Sequence, residues 1–270
     1  FLSNITGETV SLEVVSGNLV VSSPRHRTII KGYPPTDFPS LPKVVDDRQF
    51  FVIPSDYLAA ALRAVSYSSS TSLIKPEIAS VCLYNQGNEL AVVATDSFRL
   101  AEKIFPPALK ISLALPHLIL PIKNVSEIIR VLENTPGEAT IEYNQHQISF
   151  KMGEIYLTSR LTDGVYPDYR QIIPTTKLTE AIVLKDRLME TLKVLNIFVD
   201  RFGQITLTVS PADKKIEFTS SNDNGENTSN IEATVEGEAV TLSLNVKYLL
   251  DCLQSIHTDS LRLKFNGPHK

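Results

Sequence analysis

Four times along the chain a short apolar run leads directly into a stretch whose apolar residues fall four apart. Phe51-Val52-Ile53-Pro54 precedes Leu58 and Leu62, and Leu118-Ile119-Leu120-Pro121 precedes Val125 and Ile129. Ile182-Val183-Leu184 precedes Leu188 and Leu192, and Leu242-Ser243-Leu244-Asn245 precedes Leu249 and Leu253. The runs read as strands, and the i, i+4 spacing places each later pair on one helix face. The copies recur about every 60–67 residues, longer than a solenoid repeat, so each is a larger supersecondary unit. Helices are therefore predicted to start near Pro54, Pro121, Lys185 and Asn245.

Between these helices the pattern is strand-like and rich in hairpin signals. Val81 to Tyr84 is expected to pair with Leu90 to Thr95 across Asn85-Gln86-Gly87-Asn88, and Ala139 to Tyr143 with Gln147 to Lys151. Ile205 to Val209 and Lys215 to Thr219 flank Pro211-Ala212-Asp213, and Asn222-Asp223-Asn224-Gly225 opens a further turn. Each unit thus reads as strand, helix and three strands, an α+β pattern. Such a unit buries its helix against its own sheet, and edge-to-edge repetition predicts long continuous antiparallel sheets with all helices on one side. Ahead of the first unit, Val10 to Val14 and Leu19 to Val21 flank Ser16-Gly17-Asn18 as a hairpin. A Pro-rich corner from Tyr33 to Pro42 follows, and its Asp37-Phe38-Pro39 is echoed by Val165-Tyr166-Pro167 at an offset of about 130 residues, a domain-sized repeat.

One corner stands out. In Ala91 to Lys103 an apolar strand meets Thr95-Asp96-Ser97, whose short polar groups bond amides one or two residues on and favour a sharp turn. Phe98 and Leu100 then alternate with Arg99, which predicts a returning strand with apolar groups on one face and a cation on the other. Ala94-Thr95-Asp96-Ser97-Phe98-Arg99-Leu100-Ala101 resembles the A-T-D-G-H-R-L-A signature of the bacterial DNA polymerase III β sliding clamps. Asp163-Gly164-Val165-Tyr166-Pro167-Asp168-Tyr169 resembles that family's D-G-x-[FY]-P-[DN]-[YF] segment, and the likeness extends to Asn245-Val246-Lys247-Tyr248-Leu249-Leu250-Asp251.

The resemblance implies the DNA-clamp fold, with antiparallel sheets outside and helices on the inner face of a ring. By that template residues 1–44 are the end of a first domain, 45–174 a complete second and 175–270 most of a third. The chain then lacks the first half of domain one and the last strands of domain three, which the family uses to close its ring. A homodimer is implied for the full-length protein, and a monomer or weak dimer for this stretch. The implied partners are double-stranded DNA, the polymerase III catalytic subunit, the clamp loader and other proteins with clamp-binding peptides.

Composition narrows the picture modestly. The chain is 43% hydrophobic and 21% charged, ordinary for a globular protein. Its net charge of −4 means that any DNA-facing surface must be local. Cys82 and Cys252 stand far apart and outside any C-x-x-C pattern, which fits a reducing cytoplasm and suggests neither disulfide nor zinc. The longest apolar run, around Leu113 to Leu120, is broken by Pro116 and falls short of a membrane span.

The resemblance also implies two surfaces. A peptide pocket maps onto Ile78, Thr95, Ser97, Phe98, Arg99, Leu100, Pro167, Gln171 and Ile172, with Ile78, Leu100, Pro167 and Ile172 as its apolar floor and Arg99 at the rim or bracing the corner. Ser97 and Phe98 depart from the family's glycine and histidine. A DNA-facing surface maps onto a Ser-rich loop contributing Lys75 and Ser72. It continues along the predicted helices through Arg63, Lys123, Arg130, Lys185, Arg187, Lys193, Arg201 and Lys247. The same helices carry Asp56, Glu127, Glu133, Asp186, Glu190, Asp200 and Asp251, the mixture of a solvated face. Sliding wants diffuse positive potential without base contacts.

No phosphate-cradling glycine loop, H-E-x-x-H pair or G-x-S-x-G elbow occurs, and His26, His117, His146, His257 and His269 are scattered. Neither an enzyme nor a cofactor is expected. The favoured expectation is a processivity factor that tethers polymerase to duplex DNA by topology. The rival is a clamp-fold adapter that binds peptides without closing a ring.

Overall fold

The computed structural model describes residues 2–4, 9–38, 40–86, 89–105 and 115–267. Those parts of the sequence reading that fall on Pro39, Gly87, Asn88, Leu113 and His269 lie outside the described residues. The chain divides into two compact units, Phe1–Lys43 and Val44–Lys270. In the first, β1 (Ser11–Val15), β2 (Asn18–Ser22) and β3 (Arg27–Ile30) form an antiparallel sheet in that order. Its tight turn is Ser16-Gly17, with φ of 50° and 77°, the doubly positive geometry whose twist matches the flanking strands.

The second unit opens with β4 (Gln49–Pro54), α1 (Ser55–Ser66), β5 (Ser80–Gln86), β6 (Glu89–Thr95) and β7 (Leu100–Ile104). The pattern repeats in β8 (Leu118–Pro121), α2 (Ile122–Glu133), β9 (Glu138–Tyr143), β10 (Gln147–Met152) and β11 (Ile155–Arg160). It repeats again in β12 (Thr179–Leu184), α3 (Lys185–Leu195), β13 (Gln204–Ser210), β14 (Lys215–Asn222), β15 (Gly225–Glu232) and β16 (Thr234–Gly237). A last copy gives β17 (Val240–Asn245), α4 (Val246–Gln254) and β18 (Ser260–Phe265). All four helices begin where the apolar spacing places them. Pro54 and Pro121 sit at the N-caps of α1 and α2, where no amide donor is needed, and the Asn245 side chain caps α4 by accepting the Lys247 amide at 2.9 Å.

The sheets are not built as the units are. Strands β5, β6 and β7 are joined by β8 in the order β7-β6-β5-β8, while β4 joins the other sheet as β11-β10-β9-β4. Each helix is therefore a crossover: the strand before it lies in one sheet and the strand after it in the next. The later copies interlock likewise, as β15-β14-β13-β17 and β16-β12-β18. This corrects the expectation that a unit buries its helix against its own sheet and repeats into long continuous sheets. Among the described residues there are separate antiparallel sheets of three or four strands. The helices pack in pairs, α1 on α2 and α3 on α4.

Leu58 and Leu62 of α1 and Val125 and Ile129 of α2 join Ile53, Val81, Leu90, Val92 and Phe150 in one core. Leu188 and Leu192 of α3 and Leu253 of α4 join Val183, Leu207 and Phe218 in another. The β5–β6 region is buried on both faces, because Cys82, Tyr84, Ala91 and Val93 turn away from the helices and are covered by Tyr166 and Tyr169. That double burial explains why β6 reads as a continuous apolar run. It also brings the two recognisable sequence segments together.

Candidate functional site

The corner between β6 and β7 is closed by its own short polar side chains. Thr95 Oγ1 donates to the Arg99 carbonyl at 2.8 Å and accepts from the Ser97 amide at 3.2 Å. Asp96 Oδ1 accepts the amides of Phe98 and Arg99, each at 2.9 Å. The turn these bonds enforce puts Ser97 at φ 77°, a left-handed conformation that a side chain resists. The physics of the position favours glycine. Phe98 is not in the returning strand, as the alternation predicted, but at the tip of the corner, and it is 82% exposed. The strand begins only at Leu100, because the Asp96 bonds hold residues 98 and 99 in the turn.

Arg99 braces the corner from within. Its Nε donates to Asp96 Oδ2 at 3.0 Å and its Nη1 to Asp251 Oδ2 at 2.7 Å. The guanidinium lies 4.5 Å from the ring centre of Tyr248 and 5.5 Å from that of Tyr67, within cation–π range of both. Lys247 Nζ reaches both Asp251 oxygens at 3.0 Å. Burial disfavours the charge on Arg99, but the bonds from Asp251 and Asp96 outweigh it and raise its pKa. The Asp251 carboxyl is held below its usual range: burial pushes it up, and the bonds from Arg99 and Lys247 pull it further down. Burial, with Cys252 beside it, pushes the Tyr67 phenol up to about 12. Sequence reasoning assigned no role to Tyr67 or Tyr248 and placed Asp251 on a solvated face, whereas its side chain is only 17% exposed and paired with Arg99. The one available signal was that Tyr248 and Asp251 stand three apart on a helix in the segment that resembles the clamps.

The segment from Val165 to Ile172 lies over the back of the β5–β6 region. Tyr166 Oη donates to the Val93 carbonyl at 3.4 Å, and Tyr169 Oη bonds Glu102 and Tyr84. Arg170 Nη2 donates to Tyr84 Oη at 2.6 Å. Burial first, then Glu102 and Tyr84, push the Tyr169 phenol above the ordinary tyrosine range. With Tyr166 and Tyr169 pinned, Pro167, Gln171 and Ile172 are turned to solvent, and Gln171 Nε2 bonds Asp168 at 2.6 Å. Leu100 packs against the same Tyr166 and Tyr169 cluster, half-buried.

The predicted pocket residues are thus placed unevenly. Thr95, Ser97, Phe98, Arg99 and Leu100 share the corner, and Pro167 belongs to the segment packed beside Leu100. Thr95 is buried in the turn. Ile78 is buried too, at 8% exposure, in a loop closed by its carbonyl accepting the Ser70 amide at 2.9 Å. A cleft of about 420 Å³ runs between Tyr84, His117 and residues 165–170, and of the predicted set only Pro167 lines it.

The predicted DNA-facing cations are mostly engaged. Arg63 on α1 reaches across to Glu133 on α2, with Nε to Oε1 at 3.0 Å. Arg130 forks onto Glu127, Arg187 meets Glu190 at 3.3 Å, and Lys247 meets Asp251. Lys185 Nζ donates to the Ile256 carbonyl at 2.5 Å; Arg201 lies in a turn beyond the end of α3, not on a helix as predicted, and sits over the Phe202 ring at 4.7 Å. Lys75, Lys123 and Lys193 are exposed. Ser72 is tied into its loop by bonds with Ser70 and Ile74, so the Ser-rich stretch is a hydrogen-bonded turn, with Leu73 and Ile74 exposed beside Lys75. Among the described residues no cluster of His, Cys, Asp and Glu could hold a metal, and no helix is long and apolar enough to cross a membrane.

Comparison with known proteins points one way. Residues 52–168 match the family described as the DNA polymerase III beta subunit, central domain, and residues 170–270 match its C-terminal domain. The beta sliding clamp of Bacillus subtilis is 28% identical over 268 residues, covering 96% of this chain and 69% of that protein. The beta sliding clamp of Escherichia coli K12 is 27% identical over 267 residues, covering 95% and 69%. The solved DNA polymerase sliding clamp of Bacillus subtilis superposes with a TM-score of 0.88 at 27% identity, over 99% of this chain and 71% of that one. A sliding clamp from Pseudomonas aeruginosa bound to griselimycin gives 0.87 at 26% identity, over 96% and 69%.

Proposed function

The chain belongs to the DNA polymerase III β-subunit family, the bacterial sliding clamps, and on that premise we propose that it works as a non-catalytic processivity factor. It encircles duplex DNA as part of a ring, tethers the replicative polymerase and recruits partners through a peptide pocket. The observation that carries the pocket reading is the convergence of Leu100 with the Tyr166–Tyr169 segment beside the Thr95–Arg99 corner. An exposed Phe98, a half-buried Leu100 and an exposed Pro167 and Ile172 suit an apolar anchor from a peptide. Burying one leucine or phenylalanine there contributes about 1.5–3 kcal/mol. In this reading Ile78 and Thr95 shape the site from beneath, Ser97 and Gln171 flank it, and Arg99 holds the corner in place.

The helix faces, with the turn after α3 and the loop through Lys75, supply the DNA side of the proposal. Arg63, Lys123, Arg130, Lys185, Arg187, Lys193, Arg201 and Lys247, with Lys75 and Ser72 of the loop, provide a diffuse field that positions a duplex without reading its bases. The proposed division is 1–44, 45–174 and 175–270, with a homodimeric ring in the cytoplasm as the working assembly. Partners in this scheme are double-stranded DNA, the polymerase catalytic subunit, the clamp loader and other carriers of clamp-binding peptides. The test is retention on DNA: after loading by the clamp loader, the protein should stay on a nicked circular plasmid through a high-salt wash and leave when the plasmid is linearised. Equal retention on both forms would replace the topological tether with ordinary affinity, and no retention on either would leave an adapter.

A further inference from the structure

Arg63 stands in the last turn of α1 and Glu133 is the last residue of α2, and the pair spans the cleft between the two packed helices. Both the Nε and Nη2 donors of Arg63 converge on the single oxygen Oε1 of Glu133. That is the side of the guanidinium fork that would otherwise grip a phosphate. The cleft, about 440 Å³, is lined by Arg63, Tyr67, Val125, Ile129, Arg130 and Glu133, so the second arginine of this face shares it. Arg130 is likewise forked onto Glu127 of its own helix. The Arg63 and Glu133 side chains remain 56% and 43% exposed, so water screens the pair and its hold is weak.

We infer that Glu133 acts as a competing counter-charge that holds the Arg63 fork off the DNA backbone and so sets how loosely the α1–α2 face grips a duplex. The inference rests on the helix faces being the DNA-facing surface, as proposed above, and adds to it the residue that limits the contact. A phosphate that reaches Arg63 must displace a carboxylate already held by the same two donors; both contacts are exposed and individually weak, so the loss of one offsets much of the gain of the other. Capture and release then differ little in free energy. A surface meant to slide needs that flatness, because each phosphate must be let go as readily as it is taken. Among the described residues Lys75, Lys123 and Lys193 have no carboxylate within ion-pair distance, which leaves a field of unlocked lysines around the locked arginines.

The test uses a short fluorescently labelled duplex, fluorescence anisotropy and a salt series on the parent, Glu133→Gln, Arg63→Ala and the double variant, each checked for an unchanged thermal melt. Glu133→Gln should tighten binding about two- to five-fold. It should also steepen the slope of log K against log salt by about 0.9, the release of one further counterion. The gain should vanish in the Arg63→Ala background, because Glu133 acts through that fork. A gain that persists there would overturn the inference in favour of a general loss of negative charge. No gain from Glu133→Gln, while Arg63→Ala weakens binding, would overturn it and leave the DNA-facing reading intact. No response from either variant or from Lys123→Ala would overturn both. Should Glu133→Gln fail to fold, Glu127→Gln and Arg130→Ala repeat the same cycle on the same face.

Discussion

Arg99 and Arg63 are both arginines held by carboxylates, yet they belong to different kinds of surface. Arg99 is 17% exposed and its partners Asp96 and Asp251 are 14% and 17% exposed, whereas Arg63 and Glu133 are 56% and 43% exposed. Around Arg99 the carboxylates have lost much of their water, so each needs the guanidinium, and two tyrosine rings complete its enclosure. Around Arg63 water competes for every bond. Burial, rather than the presence of an ion pair, separates a brace from an exchangeable contact. The proposed peptide corner wants a brace, because a pocket must hold its shape before a peptide arrives. The proposed DNA-sliding face wants the opposite.

The comparison predicts its largest effect at the corner. Arg99→Ala should cost about 2–4 kcal/mol in urea unfolding, because it removes the one cation shared by two partly buried carboxylates, leaving Asp251 to Lys247 and Asp96 to backbone amides alone. Arg99→Lys should recover only part of this, since an ammonium cannot fork to Asp96 and Asp251 together. If Arg99→Ala lost no more than Arg63→Ala, burial would not be what separates the two sites.

A smaller effect follows acid. The folded-state pKa of Asp251 lies below its ordinary value, so its stabilisation is fully present above the unfolded carboxylate pKa, about 3.9, and is lost as pH falls through the lower folded value. Asp251→Asn should therefore be less stable than the parent at neutral pH, with the gap closing below about pH 4. A gap that stayed constant with pH would separate the carboxylate's charge from its contribution.

Ser97→Gly should stabilise the protein by about 0.5–1 kcal/mol, because it relieves a left-handed serine and loses little else. A thermal melt unchanged or lowered would mean that the Ser97 side chain contributes something the turn geometry does not reveal. The smallest effect belongs to the exposed face: Arg63→Ala should stay within about 0.5 kcal/mol of the parent in the same urea experiment.

Much of this was legible in the sequence, for reasons that differ by residue. The four helix starts were readable because Leu58/Leu62, Val125/Ile129, Leu188/Leu192 and Leu249/Leu253 follow apolar strands at fixed spacing. The hairpins of β5–β6, β9–β10 and β13–β14 formed in the expected pairings, because turn residues separate apolar runs locally. The exchange of β4 and β8 between sheets was not legible, since nothing in a strand's own pattern names a partner some forty or ninety residues away. The same holds for Arg99, whose bond to Asp251 spans 152 residues. Phe98 misled the alternation because the Asp96 turn takes two more residues than the corner sequence suggests. β16 went unread, because Thr234-Val235-Glu236-Gly237 offers only one apolar residue.

The central claim is that Leu100, the Thr95–Arg99 corner and the segment through Ile172 form one peptide site, and the most direct test is binding of a fluorescein-labelled clamp-binding peptide from the polymerase catalytic subunit by anisotropy. The parent should bind saturably, and an excess of the unlabelled peptide should displace the label. Leu100→Asp should abolish binding while its thermal melt still reports a folded protein, because a bound leucine would bury the new carboxylate without a partner. A folded Leu100→Asp variant that bound the peptide as tightly as the parent would contradict the account.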